Sequence, residues 1–128
     1  MVSPNKSVIL ICDDEEGIRE SFKLILSEEY DLKFAHNGTE ALKTLKTLSP
    51  SLMLLDIKMP KVHGMEILRE VKKMKPKLPV IIVTGYQSVE MAQEAIKNGA
   101  ADYIPKPFES EKLLKAVENA IHAKRSEA

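Results

Sequence analysis

Residues 52–60 read Leu-Met-Leu-Leu-Asp-Ile-Lys-Met-Pro. Four consecutive apolar residues without alternation are typical of a strand that is buried on both faces of a parallel sheet. Asp56 stands where that strand ends, and ligands of open α/β sheets bind at the carboxyl ends of the strands. Asp is also favoured as a helix N-cap, although the residue before Pro60 is biased away from helix. We therefore interpret Asp56 as a functional carboxylate and leave the capping alternative open.

Apolar runs and amphipathic segments alternate along the rest of the chain. Strands are predicted at residues 7–12, 30–35, 52–56, 79–84 and 102–104, and the second alternates in polarity, as an exposed strand does. Asn37-Gly38 is interpreted as a turn and Asn98-Gly99 as a helix C-cap. The apolar residues at helical spacing are Ile18, Phe22, Ile25, Leu26; Ala41, Leu42, Leu45, Leu48; Ile67, Leu68, Val71, Met74; Val89, Ala92, Ala95, Ile96; and Leu113, Leu114, Val117, Ala120, Ile121.

Five strands alternating with five helices predict an α/β fold with a single five-stranded parallel sheet and helices on both faces. The crossovers of such sheets are right-handed almost without exception. The flavodoxin-like order 2-1-3-4-5 suits five strands, giving a (βα)5 fold. In that order the ends of the first and third strands lie side by side.

Length and composition limit the function classes. The 128 residues predict one domain, residues 1–128, with a lead at 1–6 and a polar tail at 122–128 as the start of a linker. Lys plus Arg and Asp plus Glu both number 19, which argues against direct nucleic-acid binding. Cys12 is the one cysteine, so no internal disulfide is expected. Without a predicted membrane span or signal peptide, the chain is expected to be soluble and cytoplasmic.

Polar residues follow the predicted strands and should converge on one cleft. Asp13 and Asp14 follow the first strand, Asp56 ends the third, Thr84 ends the fourth and Lys106 follows the fifth. Carboxylates that share a cleft repel one another unless a cation neutralises them, and all-oxygen ligation suits Mg²⁺. A carboxylate can accept a phosphoryl group covalently, while a metal and a Lys neutralise the transferred group. The residues thus predict a Mg²⁺-assisted aspartyl-phosphate site with Asp56 as the acceptor.

Over nearly its whole length, the chain resembles the response-regulator receiver domains of two-component signal transduction, the superfamily of the chemotaxis regulators. Five segments carry the resemblance, in the order and at the spacing of that family. They are ILICDDE at 9–15, NGTEAL at 37–42, LLDIKMP at 54–60 with Gly64, VTG at 83–85 and GAADYIPKPF at 99–108. The residues around Thr84 and Lys106 resemble those of receivers that precede AAA+ transcription activators, so a role in transcription regulation is one expected output.

The resemblance implies a role for each site residue. Asp56 would accept a phosphoryl group from the phosphohistidine of a sensor histidine kinase or phosphotransfer protein. Asp14 would bind Mg²⁺ directly, Asp13 mostly through water, and Lys58 through its backbone carbonyl. Thr84 and Lys106 would bind the phosphoryl oxygens. Such a domain is a signalling switch that assists its own phosphorylation and dephosphorylation, rather than an enzyme with a separate substrate.

The switch and the partners also follow from the resemblance. Tyr103 would turn inward when Thr84 moves toward the phosphoryl group. The face built from the fourth helix, fifth strand and fifth helix would carry the output and a homodimer contact. The Lys106–Pro107 bond would be cis. Lys58 and Tyr86, which flank the path of a hydrolytic water, would slow dephosphorylation.

The sequence disfavours two other function classes. A phosphatase of the haloacid dehalogenase type needs a second Asp two residues after the nucleophile, and that position is Lys58 here. A nucleotide- or flavin-binding module of the dinucleotide type needs a glycine-rich first turn, and the first turn here begins with Asp13 and Asp14. Both features disfavour these alternatives.

Overall fold

In the computed structural model, five parallel strands form one sheet in the order β2-β1-β3-β4-β5. The strands are β1 Val8–Cys12, β2 Asp31–Ala35, β3 Leu52–Leu55, β4 Val80–Thr84 and β5 Asp102–Pro105. The helices are α1 Glu16–Leu26, α2 Gly38–Leu45, α3 Gly64–Met74, α4 Val89–Lys97 and α5 Ser110–Glu127. The structure describes residues 6–58, 64–86 and 88–127, leaving out the side chains of 124–127. The predicted fold is confirmed.

The three inner strands are buried on both faces, which explains why their sequences do not alternate in polarity. All four residues of β3 and all five of β4 are buried. Successive side chains of a strand point to opposite faces, and they enter two apolar clusters here. One cluster joins Leu10 and Met53 to residues of α2, α3 and α4. The other joins Ile9 and Leu52 to residues of α1 and α5.

The register of β1 with β3 sets the position of the site. Cys12 pairs with Leu55 and Ile11 with Leu54, so the two strands end side by side. The Asp56 N–H donates to the Cys12 carbonyl at 3.1 Å and continues the ladder by one residue. The residues that follow both strands therefore meet at one edge of the sheet, as the predicted strand order requires.

Several predicted boundaries differ from the structure. Asn37 is the N-cap of α2, and its side chain accepts the Glu40 N–H at 2.8 Å, so the predicted turn is the start of a helix. The α2 helix ends at Leu45, before Leu48. Residues 122–127, predicted as a tail, continue α5, because no proline or glycine ends that helix. The break predicted at Met59 and Pro60 lies outside the described residues.

The α4 helix is packed less fully than its sequence predicts. Of its four predicted core residues only Ala95 is buried, whereas Val89 is 68% and Ile96 50% exposed. The helix contacts β5, the edge strand, so the sheet ends beneath it and leaves part of its apolar side uncovered. Gly99, at φ +102°, follows the C-cap Asn98 as predicted, because glycine adopts this conformation without a steric penalty.

Glycine is required where α3 begins. A Cβ at Gly64 would meet the Ile57 backbone, lying 2.6 Å from its carbonyl oxygen. This close approach packs the first turn of α3 against the segment that follows Asp56. Among the described residues, none of the helices has the length and apolar character that crossing a membrane demands.

Candidate functional site

Asp13 is the buried carboxylate at the end of β1, with 1% of its surface exposed. Its N–H donates to the Ala35 carbonyl of β2 at 3.1 Å, and its Oδ1 accepts the Glu15 N–H at 2.9 Å. The sheet and the start of α1 thus fix both its backbone and its side chain. Asp14, the next residue, is exposed.

Asp56 is the second buried carboxylate and is 2% exposed. Its Oδ1 accepts the Lys58 N–H at 2.8 Å, a local turn bond. Residues 57 and 58, which would open a helix capped by Asp56, are not helical. The capping alternative for Asp56 therefore finds no support in the described residues.

Lys106 connects the carboxylates. Its Nζ donates to Asp56 Oδ2 at 2.8 Å, to Asp13 Oδ2 at 2.9 Å and to Glu15 Oε1 at 3.2 Å. The Lys106 N–H also donates to the Thr84 carbonyl at 2.8 Å, which fixes the backbone of this residue to β4. The Lys106–Pro107 peptide bond is cis, as predicted.

Burial and the charges of the site together shift two pKa values. Burial by itself lowers the pKa of Lys106, but hydrogen bonds to Asp56 and Asp13 and the charges of both carboxylates outweigh burial, so its pKa is raised. Burial raises the pKa of Asp13 and exceeds the opposing effects of the Glu15 N–H and Lys106, while the charge of Asp56 raises it further. Lys106 is therefore a cation at neutral pH.

Glu15 belongs to the site, although sequence reasoning did not include it. Its backbone forms the N-cap of α1, but its side chain makes no capping hydrogen bond and reaches Lys106 instead. The only available sequence signal was a third carboxylate directly after Asp13 and Asp14. That signal has a sufficient alternative explanation, because acidic residues are common at helix N-termini.

The donor set fits a hard divalent cation. Carboxylate oxygens of Asp13, Asp14, Glu15 and Asp56 all lie within 4.8 Å of one another. The group contains oxygen ligands only, which suits Mg²⁺. Four carboxylates face the single Lys106 ammonium, so the local charge is incompletely neutralised by the described residues.

Thr84 and Tyr103 are linked through the backbone of Tyr86. Thr84 is fully buried, and its Oγ1 accepts the Tyr86 N–H at 3.5 Å. The Tyr103 hydroxyl donates to the Tyr86 carbonyl at 2.7 Å, and the half-buried Tyr103 packs against the core cluster that contains Met53. Burial raises the pKa of Tyr103, with smaller contributions from Asp56 and Tyr86.

Lys58 and Tyr86 contact each other at the rim of the site. The Lys58 Nζ lies 5.4 Å from the centroid of the Tyr86 ring, at the distance of a cation–π contact. Lys58 is exposed, and Tyr86 is 39% exposed. Cys12, next to the site, is 1% exposed, and burial raises the pKa of its thiol to about 12. It therefore acts as a small core residue.

The sequence profile of the response regulator receiver domain matches residues 9–118 of this chain. The chain belongs to this family of receiver domains. A solved receiver domain protein, CheY-like, from Methanospirillum hungatei JF-1 superimposes with a TM-score of 0.91 at 34% identity, covering 96% of this chain and 99% of that one. The superposition agrees with the fold of this receiver domain.

Two curated relatives are longer than this receiver domain. Response regulator MprA of Mycobacterium ulcerans is 37% identical over 107 residues, which are 83% of this chain and 46% of the relative. A putative NtrX-like response regulator of Rickettsia bellii is 45% identical over 109 residues, 83% of this chain and 23% of the relative. The chain thus spans less than half the length of either relative.

Proposed function

We propose that this receiver domain accepts a phosphoryl group on Asp56 in a Mg²⁺-dependent reaction. The observation that carries the proposal is the placement of the buried Asp56 carboxylate, held between the Lys58 N–H and the Lys106 ammonium. The same ammonium contacts Asp13, so the acceptor lies inside the group of carboxylates. These two hydrogen bonds orient the carboxylate, as the attack of a nucleophile requires.

The proposed donor is the phosphohistidine of a sensor histidine kinase or phosphotransfer protein. An Asp56 oxygen forms the new P–O bond while the N–P bond of phosphohistidine breaks, and the departing imidazole keeps the electron pair and takes up a proton. Lys106, with its raised pKa, stays protonated, so its ammonium can bind the phosphoryl oxygens once they carry the negative charge. Phosphoryl transfer depends mainly on such positioning and charge neutralisation.

The proposed metal ligands are Asp14, Asp56 and the Lys58 carbonyl, with Asp13 bound mostly through water. When bound, Mg²⁺ would supply positive charge to the carboxylates and to the phosphoryl oxygens. Because Mg²⁺ retains several waters in such sites, weak binding is expected. Glu15, which also lies in the group, is a further candidate for a water-mediated contact.

The proposed switch connects Thr84 to Tyr103. A phosphoryl group on Asp56 offers an acceptor to the Thr84 hydroxyl, which would then move toward it and disturb the long contact with the Tyr86 N–H. Since the Tyr103 hydroxyl binds the carbonyl of the same residue, a shift of Tyr86 changes the restraint on Tyr103. This path carries the signal from the acceptor to β5.

The proposed output surface is the face of α4, β5 and α5. Val89 and Ile96 lie seven residues apart on α4, so they share one side of the helix, and both are exposed. Exposed apolar side chains together are a reason to expect a protein contact. We assign this face to contact with a second copy of the domain in the phosphorylated state.

We also propose that the signalling reaction takes place in the cytoplasm.

Acetyl phosphate tests the proposal directly. Incubation with acetyl phosphate and Mg²⁺ should add one phosphoryl group to the intact mass, and Asp56→Asn should prevent the addition. The matched control is Asp102→Asn, which changes a carboxylate of β5 that binds only its neighbouring backbone among the described residues. An unchanged mass in the parent, or phosphorylation of Asp56→Asn equal to the parent, contradicts the proposal. Steady hydrolysis of many phosphomonoesters would instead favour a phosphatase.

The output surface has its own test. Light scattering after size-exclusion chromatography should report a larger mass for the phosphorylated domain, and Ile96→Lys should prevent that increase while phosphorylation remains. Leu24→Lys is the control, because Leu24 is 88% exposed on α1, away from this face. Equal assembly of the parent and Ile96→Lys would contradict the assignment.

A further inference from the structure

The orientation of Asp14 depends on its backbone. Its side chain is exposed, and no group among the described residues forms a hydrogen bond with its carboxylate. The carboxylate nevertheless lies within 4.8 Å of those of Asp13, Glu15 and Asp56. Since no hydrogen bond from a described residue holds the carboxylate there, the peptide that joins Asp13 to Asp14 sets the direction in which the Asp14 side chain leaves the backbone.

That peptide carries a hydrogen bond from α1. The Arg19 Nη1 donates to the Asp13 carbonyl oxygen at 2.9 Å. On the other side of Asp13, the N–H is fixed by Ala35 and the side chain by Glu15. The Arg19 bond therefore restrains the one remaining polar group of Asp13, and with it the ψ angle of Asp13 and the φ angle of Asp14.

The first turn of α1 brings Arg19 to this position. The Arg19 N–H donates to the Glu15 carbonyl at 3.0 Å, so its backbone begins the helical ladder at the end of the acidic segment. The half-buried side chain then reaches back over the turn toward β1. A guanidinium is always charged and holds a fixed planar set of donors, which makes a bond to a carbonyl strong and directional.

We propose that Arg19 is a positioning residue, which orients the Asp13–Asp14 peptide so that Asp14 can bind Mg²⁺. This inference rests on the proposed Mg²⁺ site but assigns a residue outside its ligand set. Groups that hold a metal ligand in place without touching the metal commonly change metal affinity by about 10-fold or more when removed.

A simple charge effect would have the opposite sign. Arg19 is a cation near a cation site, so removing its charge would by Coulomb's law strengthen Mg²⁺ binding. Loss of positioning would weaken Mg²⁺ binding instead. The direction of the change in Kd therefore distinguishes the two explanations. The magnitude of the change alone would not distinguish them.

Isothermal titration with MgCl₂ compares the parent, Arg19→Met, Arg19→Lys and Arg69→Met. We expect Kd to rise about 10-fold in Arg19→Met and to take an intermediate value in Arg19→Lys, which keeps the charge but loses the planar donors. Arg69→Met is the matched control, because Arg69 joins α3 to Glu94 and Asn98 of the α4 end, and it should bind as the parent does.

A second measurement separates metal binding from chemistry. With acetyl phosphate, the Mg²⁺ concentration for half-maximal phosphorylation should rise in Arg19→Met, while the rate at saturating Mg²⁺ should approach that of the parent. A merely structural role would lower the melting temperature without changing this half-maximal concentration.

The inference is overturned when folded Arg19→Met binds Mg²⁺ as tightly as the parent or more tightly. Should Arg19→Met fail to fold, a Kd of Arg19→Lys within 2-fold of the parent overturns it. Failure of the proposed function is distinguishable, because in that case the parent itself binds no Mg²⁺ or accepts no phosphoryl group.

Discussion

Lys106 is the residue that keeps the carboxylates of the site together. Its ammonium contacts Asp13, Glu15 and Asp56 with side-chain exposure of only 10%. Removing carboxylates from water costs free energy that only close, hydrogen-bonded charges offset. Among the described residues this ammonium contacts three carboxylates of a group of four, and this imbalance is the physical reason to expect a metal cation there.

Asp14→Asn should weaken Mg²⁺ binding and phosphorylation together. The substitution removes one anionic ligand and leaves the size of the side chain nearly unchanged, so we expect at least a 10-fold rise in Kd for Mg²⁺. Titration calorimetry gives the Kd, and intact mass after incubation with acetyl phosphate gives the rate. Glu16→Gln is the control, since it removes a nearby charge outside the carboxylate group. Parent-like Mg²⁺ affinity in Asp14→Asn would remove this residue from the ligand set.

Lys58 and Tyr86 should prolong the life of the phosphoryl group. Because the two side chains contact each other at the rim, we expect them to shield the acceptor together and not to extend separately into solvent. We expect the double variant Lys58→Asn, Tyr86→Glu to lose its phosphoryl group faster, because it opens the rim and adds groups that can orient a water, which contributes strongly in phosphoryl-transfer systems.

The measurement follows aspartyl phosphate by mass after acetyl phosphate is removed. Lys23→Asn provides the control, because it breaks a similar contact with Phe34, at 5.5 Å, away from the site. Retention in the double variant for as long as in the parent, or longer, would refute the shielding.

Individual site residues differed in how well the sequence predicted them. Asp13 and Asp56 could be placed because each directly follows a buried strand, and Lys106 because it directly follows the edge strand β5. Strand ends of a parallel sheet meet at one edge. Glu15 and Arg19 could not be placed, since both are ordinary residues for the first turn of a surface helix. Only the three-dimensional path of α1 relates them to the site.

At the scale of elements, two glycines in helices should respond oppositely to alanine. Gly64→Ala should destabilise the domain by about 1–3 kcal/mol, because its Cβ would meet the Ile57 backbone. Gly17→Ala should stabilise it by up to about 1 kcal/mol, because nothing lies within 4 Å of the added Cβ and alanine is the better helix former. Urea unfolding measures both. Equal effects of the two substitutions would contradict the described packing of α3.

Element boundaries were less predictable than element types. The sequence predicted β1, β3 and β4 because uninterrupted apolar runs cannot remain in water, and these strands are indeed buried. The β2 strand was predicted from its alternating polarity instead. It predicted a buried stripe on α4 that is half exposed, since periodicity reports which residues share a side but not how far the sheet extends beneath them.

For the whole molecule, Lys106 should make the free energy of unfolding fall at alkaline pH. Its pKa is raised in the folded state, so the folded domain keeps this proton where the unfolded chain releases it. The stabilisation is fully present below the ordinary Lys pKa of about 10.4 and is lost as pH rises through the higher folded value. The free energy of unfolding should therefore fall above about pH 10, by at most about 1.4 kcal/mol per pH unit for this proton.

Urea unfolding at pH 8 to 11 checks this dependence. Lys106→Met should be less stable by about 2–3 kcal/mol at pH 8, because it leaves buried carboxylates without their cation, and should show a shallower loss above pH 10. Lys115→Met, which removes an exposed lysine of α5, is the control. Parallel pH curves for the parent and Lys106→Met would refute the linkage.

The overall architecture was predictable because its two determinants are local. Alternation of strands and helices favours a parallel sheet, and chirality limits the crossovers. The strand order came from the preference of five-stranded sheets together with the resemblance to receivers, and the structure has that order. The convergence of Asp13, Asp56 and Lys106 is a consequence of this order rather than of any single segment.

The sparse packing of α4 should allow this helix to unfold locally. Ala95 is its one buried residue, and the Arg69 contacts with Glu94 and Asn98 that tie its end to α3 are exposed. A segment with few buried contacts unfolds locally at a small free energy, without the rest of the chain. Backbone amides of α4 should therefore exchange with deuterium well before those of β3 and β4. Because α4 can unfold while the sheet stays folded, the chain can change one surface without losing the rest of its fold.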